Sequence, residues 1–163
     1  MPKKSPSEPS RCWLFKSEPE AFSIDDLASA KNRTTHWTGV RNYQARNMLR
    51  DEIKVGDPVL FYHSSTNPTA IVGTAKVVRG GYPDFTAWDV TSPYYDPKSS
   101  IDAPRWFMVD IQLIEKFSQP LTLQFLRTVE ELNDMVLLRK GSRLSVQPVT
   151  PEEYAAVLRC ARS

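Results

Sequence analysis

Between residues 37 and 47 the chain reads Trp37-Thr38-Gly39-Val40-Arg41-Asn42-Tyr43-Gln44-Ala45-Arg46-Asn47, which sets aromatic, amide and guanidinium groups within one short segment. A pocket for an unpaired nucleobase needs those three chemistries. It takes a flat aromatic surface for stacking, amide or backbone groups for the base's hydrogen-bonding edge, and cations for the phosphates. A tryptophan ahead of a helix is more often part of a core than a stacking platform, so the segment alone leaves both uses of Trp37 open. Phe61-Tyr62-His63-Ser64-Ser65 at the end of one predicted strand, and Pro104-Arg105-Trp106 at the start of another, carry groups that could converge with it.

Catalytic alternatives have weaker support. A serine nucleophile would need Ser17 or Ser64 beside His36 or His63, because a hydroxyl is activated by an adjacent imidazole. No G-x-S-x-G elbow accompanies either serine. Cys12 lies inside an apolar run, where an inert packing thiol is expected. Gly80-Gly81 is isolated and no G-x-x-x-x-G-K-[ST] loop occurs, which removes P-loop nucleotide hydrolysis. The carboxylate pairs Asp25-Asp26, Asp51-Glu52, Glu130-Glu131 and Glu152-Glu153 fall at helix starts or ends, and neighbours on a helix point apart. Cys12 and Cys160 lack C-x-x-C spacing and His36 and His63 lack helical spacing, so neither a metal site nor a cofactor is predicted.

The elements that must hold these groups follow from periodicity and punctuation. Cys12-Trp13-Leu14-Phe15 reads as a strand ended by Lys16-Ser17-Glu18-Pro19. Ser23, with Asp26 three residues on, starts a short helix through Leu27 and Ala30. Ala45, Met48, Leu49 and Ile53 recur at helical spacing between 42 and 53. Val59 to His63 and Thr69 to Val78 read as an antiparallel pair, with Gly73 marking a bulge or a close approach. Residues 80 to 105 form a long loop rich in Pro and aromatic residues, a length that favours a functional flap.

From Trp106 to Phe117 the chain alternates, with Phe107, Val109, Ile111 and Leu113 on one face, as a half-buried strand does. One or two short helices are expected in 121 to 132 and a strand from Leu144 to Val149. The last helix opens with Thr150, Pro151 and Glu153 as a capping box. Five or six strands with short helices and no regular βαβ alternation predict an α+β domain on a small barrel.

The chain has 163 residues, which predicts one domain, with residues 1 to 10 as a flexible tail and 11 to 163 as the folded unit. Its formal charge of +2 is too small to prove a nucleic-acid partner, yet residues 1 to 50 hold nine basic against five acidic side chains. The opening MPKKSPSEPS has no apolar stretch to act in a signal peptide, and no run approaches a membrane span. An intracellular location, cytoplasmic or nuclear, is therefore expected.

The stretches Trp13 to Pro19, Trp37 to Asn47, Val55-Gly56-Asp57 and Leu60-Phe61-Tyr62-His63-Ser64 together resemble the EVE-domain family. So do Ser92-Pro93-Tyr94-Tyr95-Asp96-Pro97, Pro104-Arg105-Trp106 and the run from Asp134-Met135-Val136-Leu137-Leu138-Arg139 into Arg143 to Val149. The resemblance covers nearly everything from Trp13 to Leu158 and implies a PUA-like pseudo-barrel, a mixed or antiparallel sheet of five or six strands with short flanking helices. It also implies recognition of modified bases in DNA or RNA, modified cytosines such as 5-hydroxymethylcytosine among them.

YTH domains, which read bases in a related way, share a lysine-serine pair, a tryptophan near Gly-Val and a strand ending in small polar residues. Here these fall on Lys16-Ser17, on Trp37 with Gly39-Val40, and on Phe61 to Ser65. The expectation is a non-catalytic reader with its pocket between the barrel and the 80 to 105 loop. Trp37 and Trp106 would stack, Asn42, Tyr43, His63 and Ser64 would read the base edge, Ser17 would support the floor, and Arg41, Arg46, Arg139 and Arg143 would meet phosphates. An enzyme acting on a modified nucleotide, for instance a hydrolase using His63, and a protein-interaction module are the alternatives.

Overall fold

The computed structural model describes residues 11–141 and 143–162; the predicted tail, residues 1–10, lies outside them. Among these described residues six strands form one mixed sheet in the order β2-β5-β4-β3-β1-β6. They are β1 (Cys12–Ser17), β2 (Thr34–His36), β3 (Pro58–His63), β4 (Ala70–Pro83), β5 (Phe107–Thr122) and β6 (Val146–Val149). β1 runs parallel to β3, with Phe15 opposite Phe61, and every other ladder is antiparallel. The expected α+β architecture is present, and the sheet is not closed into a barrel: β2 and β6 are its two edges.

The apolar runs of β1 and β3 follow from burial on both faces. Trp13, Phe15, Val59 and Phe61 enter one core cluster, while Cys12, Leu14, Leu60 and Tyr62 enter the other. Each such side chain contributes about 1.5–3 kcal/mol of apolar burial, so the centre of the sheet is doubly anchored. At Gly73 the β3–β4 register shifts, and a side chain there would collide with the Glu115 backbone and Ile24; the close approach read from that glycine is real.

Among the described residues four short α-helices flank the sheet: α1 (Ile24–Ser29), α2 (Tyr43–Asn47), α3 (Leu123–Leu126) and α4 (Pro151–Arg162). Ser23 and Asp26 make a reciprocal capping box on α1. Thr150 and Glu153 make another on α4, at 3.0 and 3.1 Å. The single helix predicted for 42 to 53 is α2 followed by a π-helical turn over Met48–Glu52, with Ala45, Met48, Leu49 and Ile53 all buried as their spacing required. β2 has no counterpart among the predicted strands. It is three residues long and follows Asn32 and Arg33, both with positive φ, so periodicity has nothing to act on. Among the described residues no helix is long and apolar enough to cross a membrane.

Candidate functional site

A cavity of about 540 Å³ opens where the end of β1, the end of β2 and the loop from 37 to 41 meet the 80 to 105 segment. Ser17, Glu18, Phe22, Trp37, Arg41 and Tyr94 are among the residues that wall it. Its size lies within the range of small-molecule sites.

The 37 to 41 loop is held from below by Asp84, whose side chain is fully buried. Asp84 accepts from the Gly39 N–H at 2.9 Å, from Arg41 at 3.1 Å and from the Thr86 N–H at 2.9 Å. A buried carboxylate survives only with such donors, and here they tie the loop to the turn after β4. Arg41 also donates to the Tyr94 carbonyl at 2.6 Å. Gly39 has φ +83, and a Cβ there would stand 2.6 Å from the Tyr94 ring; the glycine serves both the left-handed turn and the aromatic laid against it.

Trp37 is 8 % exposed and belongs to the core. It packs on Phe15 and Phe61 with ring centres 5.2 and 5.6 Å away, yet it also faces the cavity. Ser17 lies in the wall, its hydroxyl donating to the Phe22 carbonyl at 2.6 Å. This bond folds the Glu18–Phe22 turn over the end of β1, where the Ser17 carbonyl also accepts from the Ser64 N–H at 2.9 Å. Of the eleven sequence-predicted site residues, the structure brings Ser17, Trp37 and Arg41 together at the cavity.

The other eight lie outside its wall. Asn42 caps α2 by accepting from the Ala45 N–H at 2.9 Å. His63 Nε2 accepts from the Ile24 N–H at 3.1 Å, which starts α1, and burial pushes its pKa below the ordinary value. Ser64 follows β3 and meets Ser17 through the backbone. Trp106 is buried, its indole donating to Asp96 at 2.6 Å, a bond that lowers the Asp96 pKa.

Tyr43 stacks on Trp106 at 4.8 Å, Arg46 lies 4.9 Å from the Tyr43 ring centre, and Arg41 lies 5.3 Å from that of Trp106. The result is two stacked rings with a guanidinium group at each end, leading from Arg41 in the cavity wall to Arg46 outside it. Arg46 donates to the Arg105 carbonyl at 2.6 Å and Arg139 to that of Asp134 at 3.2 Å, while Arg143 is exposed ahead of β6.

Sequence reasoning passed over Asp84, Tyr94 as a wall, and the pairing of His36 with Asp110. The signal for Asp84 was Asp-x-Thr after a strand, the pattern of an Asx turn. Nothing local marks Asp110, whose partner stands across the β2–β5 ladder.

An open mixed sheet carrying a tryptophan-walled cavity, with the ordered motifs noted above, defines an EVE-type domain. The EVE domain family model matches residues 11–160, and the chain belongs to that family. It is 42% identical over 163 residues to human thymocyte nuclear protein 1, a match covering 90% of this chain and 72% of the relative. A crystal structure of human THYN1 in complex with 5-methylcytosine-containing DNA superposes with a TM-score of 0.89 at 40% identity, covering 94% of this chain and 99% of that one. A hypothetical protein from Leishmania major gives 0.88 at 49% identity, over 95% and 96% of the two chains.

Proposed function

We propose that this protein is a non-catalytic reader of modified bases, holding a flipped or single-stranded modified cytosine in the cavity walled by Trp37, Tyr94 and Arg41. The observation that carries this is the cavity itself, in a chain whose relative THYN1 has been crystallised with 5-methylcytosine-containing DNA. Trp37 and Tyr94 supply aromatic surface, and Arg41 supplies positive charge at the wall for a neighbouring phosphate. Trp106, Tyr43 and Arg46 extend the interface along the strand, and Arg139 and Arg143 add charge further out. Asn42, His63 and Ser64 support the elements around the cavity through their hydrogen bonds. An intracellular site of action, cytoplasmic or nuclear, fits this role.

The nucleophiles support binding without turnover. The Ser17 hydroxyl is donated to a carbonyl and its imidazole candidate His63 is occupied by the Ile24 N–H. The Cys12 thiol is pushed up to about 11, first by burial and then by Asp57 and Glu152, which keeps it protonated. The test is titration of single strands that differ only in cytosine, 5-methylcytosine or 5-hydroxymethylcytosine, followed by nucleoside mass spectrometry. Tighter binding of a modified strand, recovered unchanged, is expected; equal affinity for all three, or loss of the modified nucleoside, would overturn the proposal.

A further inference from the structure

His36 ends β2 at the rim of the cavity, with its side chain 53% exposed. Its cross-strand partner on β5 is Asp110, whose carboxylate is nearly buried. Tyr82, on β4, completes the group: its hydroxyl donates to Asp110 Oδ1. Burial, and then that carboxylate, raise the phenol well above its ordinary pKa, so the proton stays on the oxygen and is committed to Asp110. Toward His36 the phenol oxygen can offer only lone pairs.

His36 Nδ1 therefore faces two acceptors, Asp110 Oδ1 at 2.9 Å and the Tyr82 oxygen at 3.0 Å. The proton of the neutral imidazole must sit on Nδ1, which leaves a lone pair on Nε2. Phe85 meets the ring edge-on at 5.5 Å and Arg79 lies 3.5 Å over the Tyr82 ring, so the whole group is braced. Asp110 makes Nε2 a better acceptor by polarising the ring through Nδ1.

We infer that His36 is a specificity-determining residue of the cavity, its Nε2 accepting a hydrogen bond from the exocyclic amino group of the held pyrimidine. This deepens the base-reader proposal and rests on it. An amino-bearing base places N–H on the lone pair, whereas a keto-bearing base places oxygen against it, and a site built around one such partner rejects the other. Thymine is the keto counterpart of 5-methylcytosine with the same methyl group, so the two isolate this contact.

The experiment compares single strands carrying 5-methylcytosine, thymine or an abasic residue at one position, in slightly alkaline buffer, against the protein and His36→Phe. The protein should prefer 5-methylcytosine over thymine by roughly tenfold, and His36→Phe, which keeps a ring against Phe85, should reduce that ratio to within about twofold. A preference that survives His36→Phe overturns this inference alone. An abasic strand bound as tightly as both others overturns base reading and the inference with it. Imidazole ¹⁵N NMR of the unaltered protein gives a second readout: Nδ1 protonated and Nε2 bare is expected, and the opposite tautomer overturns the assignment whether or not the variant folds.

Discussion

His63 and His36 each end a β-strand close to the cavity, and each spends one ring nitrogen on a neighbour. At His63 the spent nitrogen is Nε2, which accepts the N–H that opens α1. Burial drives that ring toward its neutral form, while Asp25 and Lys116, ion-paired with each other, push in opposite directions. At His36 the spent nitrogen is Nδ1, which donates to a carboxylate, and the accepting nitrogen is left for the outside. The same residue type latches a helix start in one region and, in the role inferred above, reads the base in the other. The difference is made by what the adjoining element presents, a helix N-terminus in one case and an aspartate across an edge ladder in the other.

The comparison can be broken first at Trp37, which lines the cavity beside His36 and packs on Phe61, the ring that also meets His63. Trp37→Ala removes a ring packed on Phe15 and Phe61 and should cost about 3–5 kcal/mol in urea unfolding, together with the loss of base binding. A fully stable variant would return Trp37 to a surface role. Asp84→Ala should cost about 3 kcal/mol, because the Arg41 guanidinium and the Gly39 N–H lose their buried acceptor. Unchanged stability there would mean the loop holds without its anchor.

His63→Ala should cost about 1–3 kcal/mol by orphaning the Ile24 N–H, and His63→Gln, which keeps an acceptor, should recover part of it. The wild-type protein also carries an acid sensitivity with a defined sign. The folded-state pKa of His63 lies below its ordinary 6.5, so its contribution is complete above that value. As pH falls below about 6.5 the unfolded chain protonates first, and stability declines until the folded group titrates too. A His63→Gln stability profile that still bends there would assign the bend to another group.

His36→Phe should shift stability by less than about 0.5 kcal/mol, since the ring is half exposed and Asp110 keeps Tyr82. A loss as large as that of His63→Ala would erase the contrast between the two. The smallest effect is expected at Arg143: Arg143→Gln should leave base preference intact and lower the salt-dependence slope by about 1. A change in preference would bring that arginine into the cavity.

These contrasts bear on how much of the site was legible in advance. The caps of α1 and α4 are local rules, and they held; the face of β5 carrying Val109, Ile111 and Leu113 also held, but that strand is not half-buried there, because Met108 and Asp110 on its other face are buried too. The residues expected to read the base edge were chosen by type and position along the chain. Asn42, followed three residues on by the N–H it caps, was legible as a helix start instead. Asp110, Tyr82 and His36 come from β5, β4 and β2, and only the sheet order brings them together. Tyr94 against Gly39 likewise depends on where a long loop returns. Local chemistry reveals caps and strands, while partners set by long-range pairing stay hidden until the register is known.

The position of β1 has a consequence for synthesis. Trp13 sits between Val59 and Pro148, so β1, the first described strand in sequence, has the last one as its second neighbour. The β3–β4–β5 meander can form from contacts near in sequence, but one edge of β1 stays unpaired until the segment that becomes β6 has emerged. A chain released early would expose that edge, flanked by Leu14 and Phe15, to proteases and to other nascent chains. The sheet is thus complete only when its first and last strands in sequence have met.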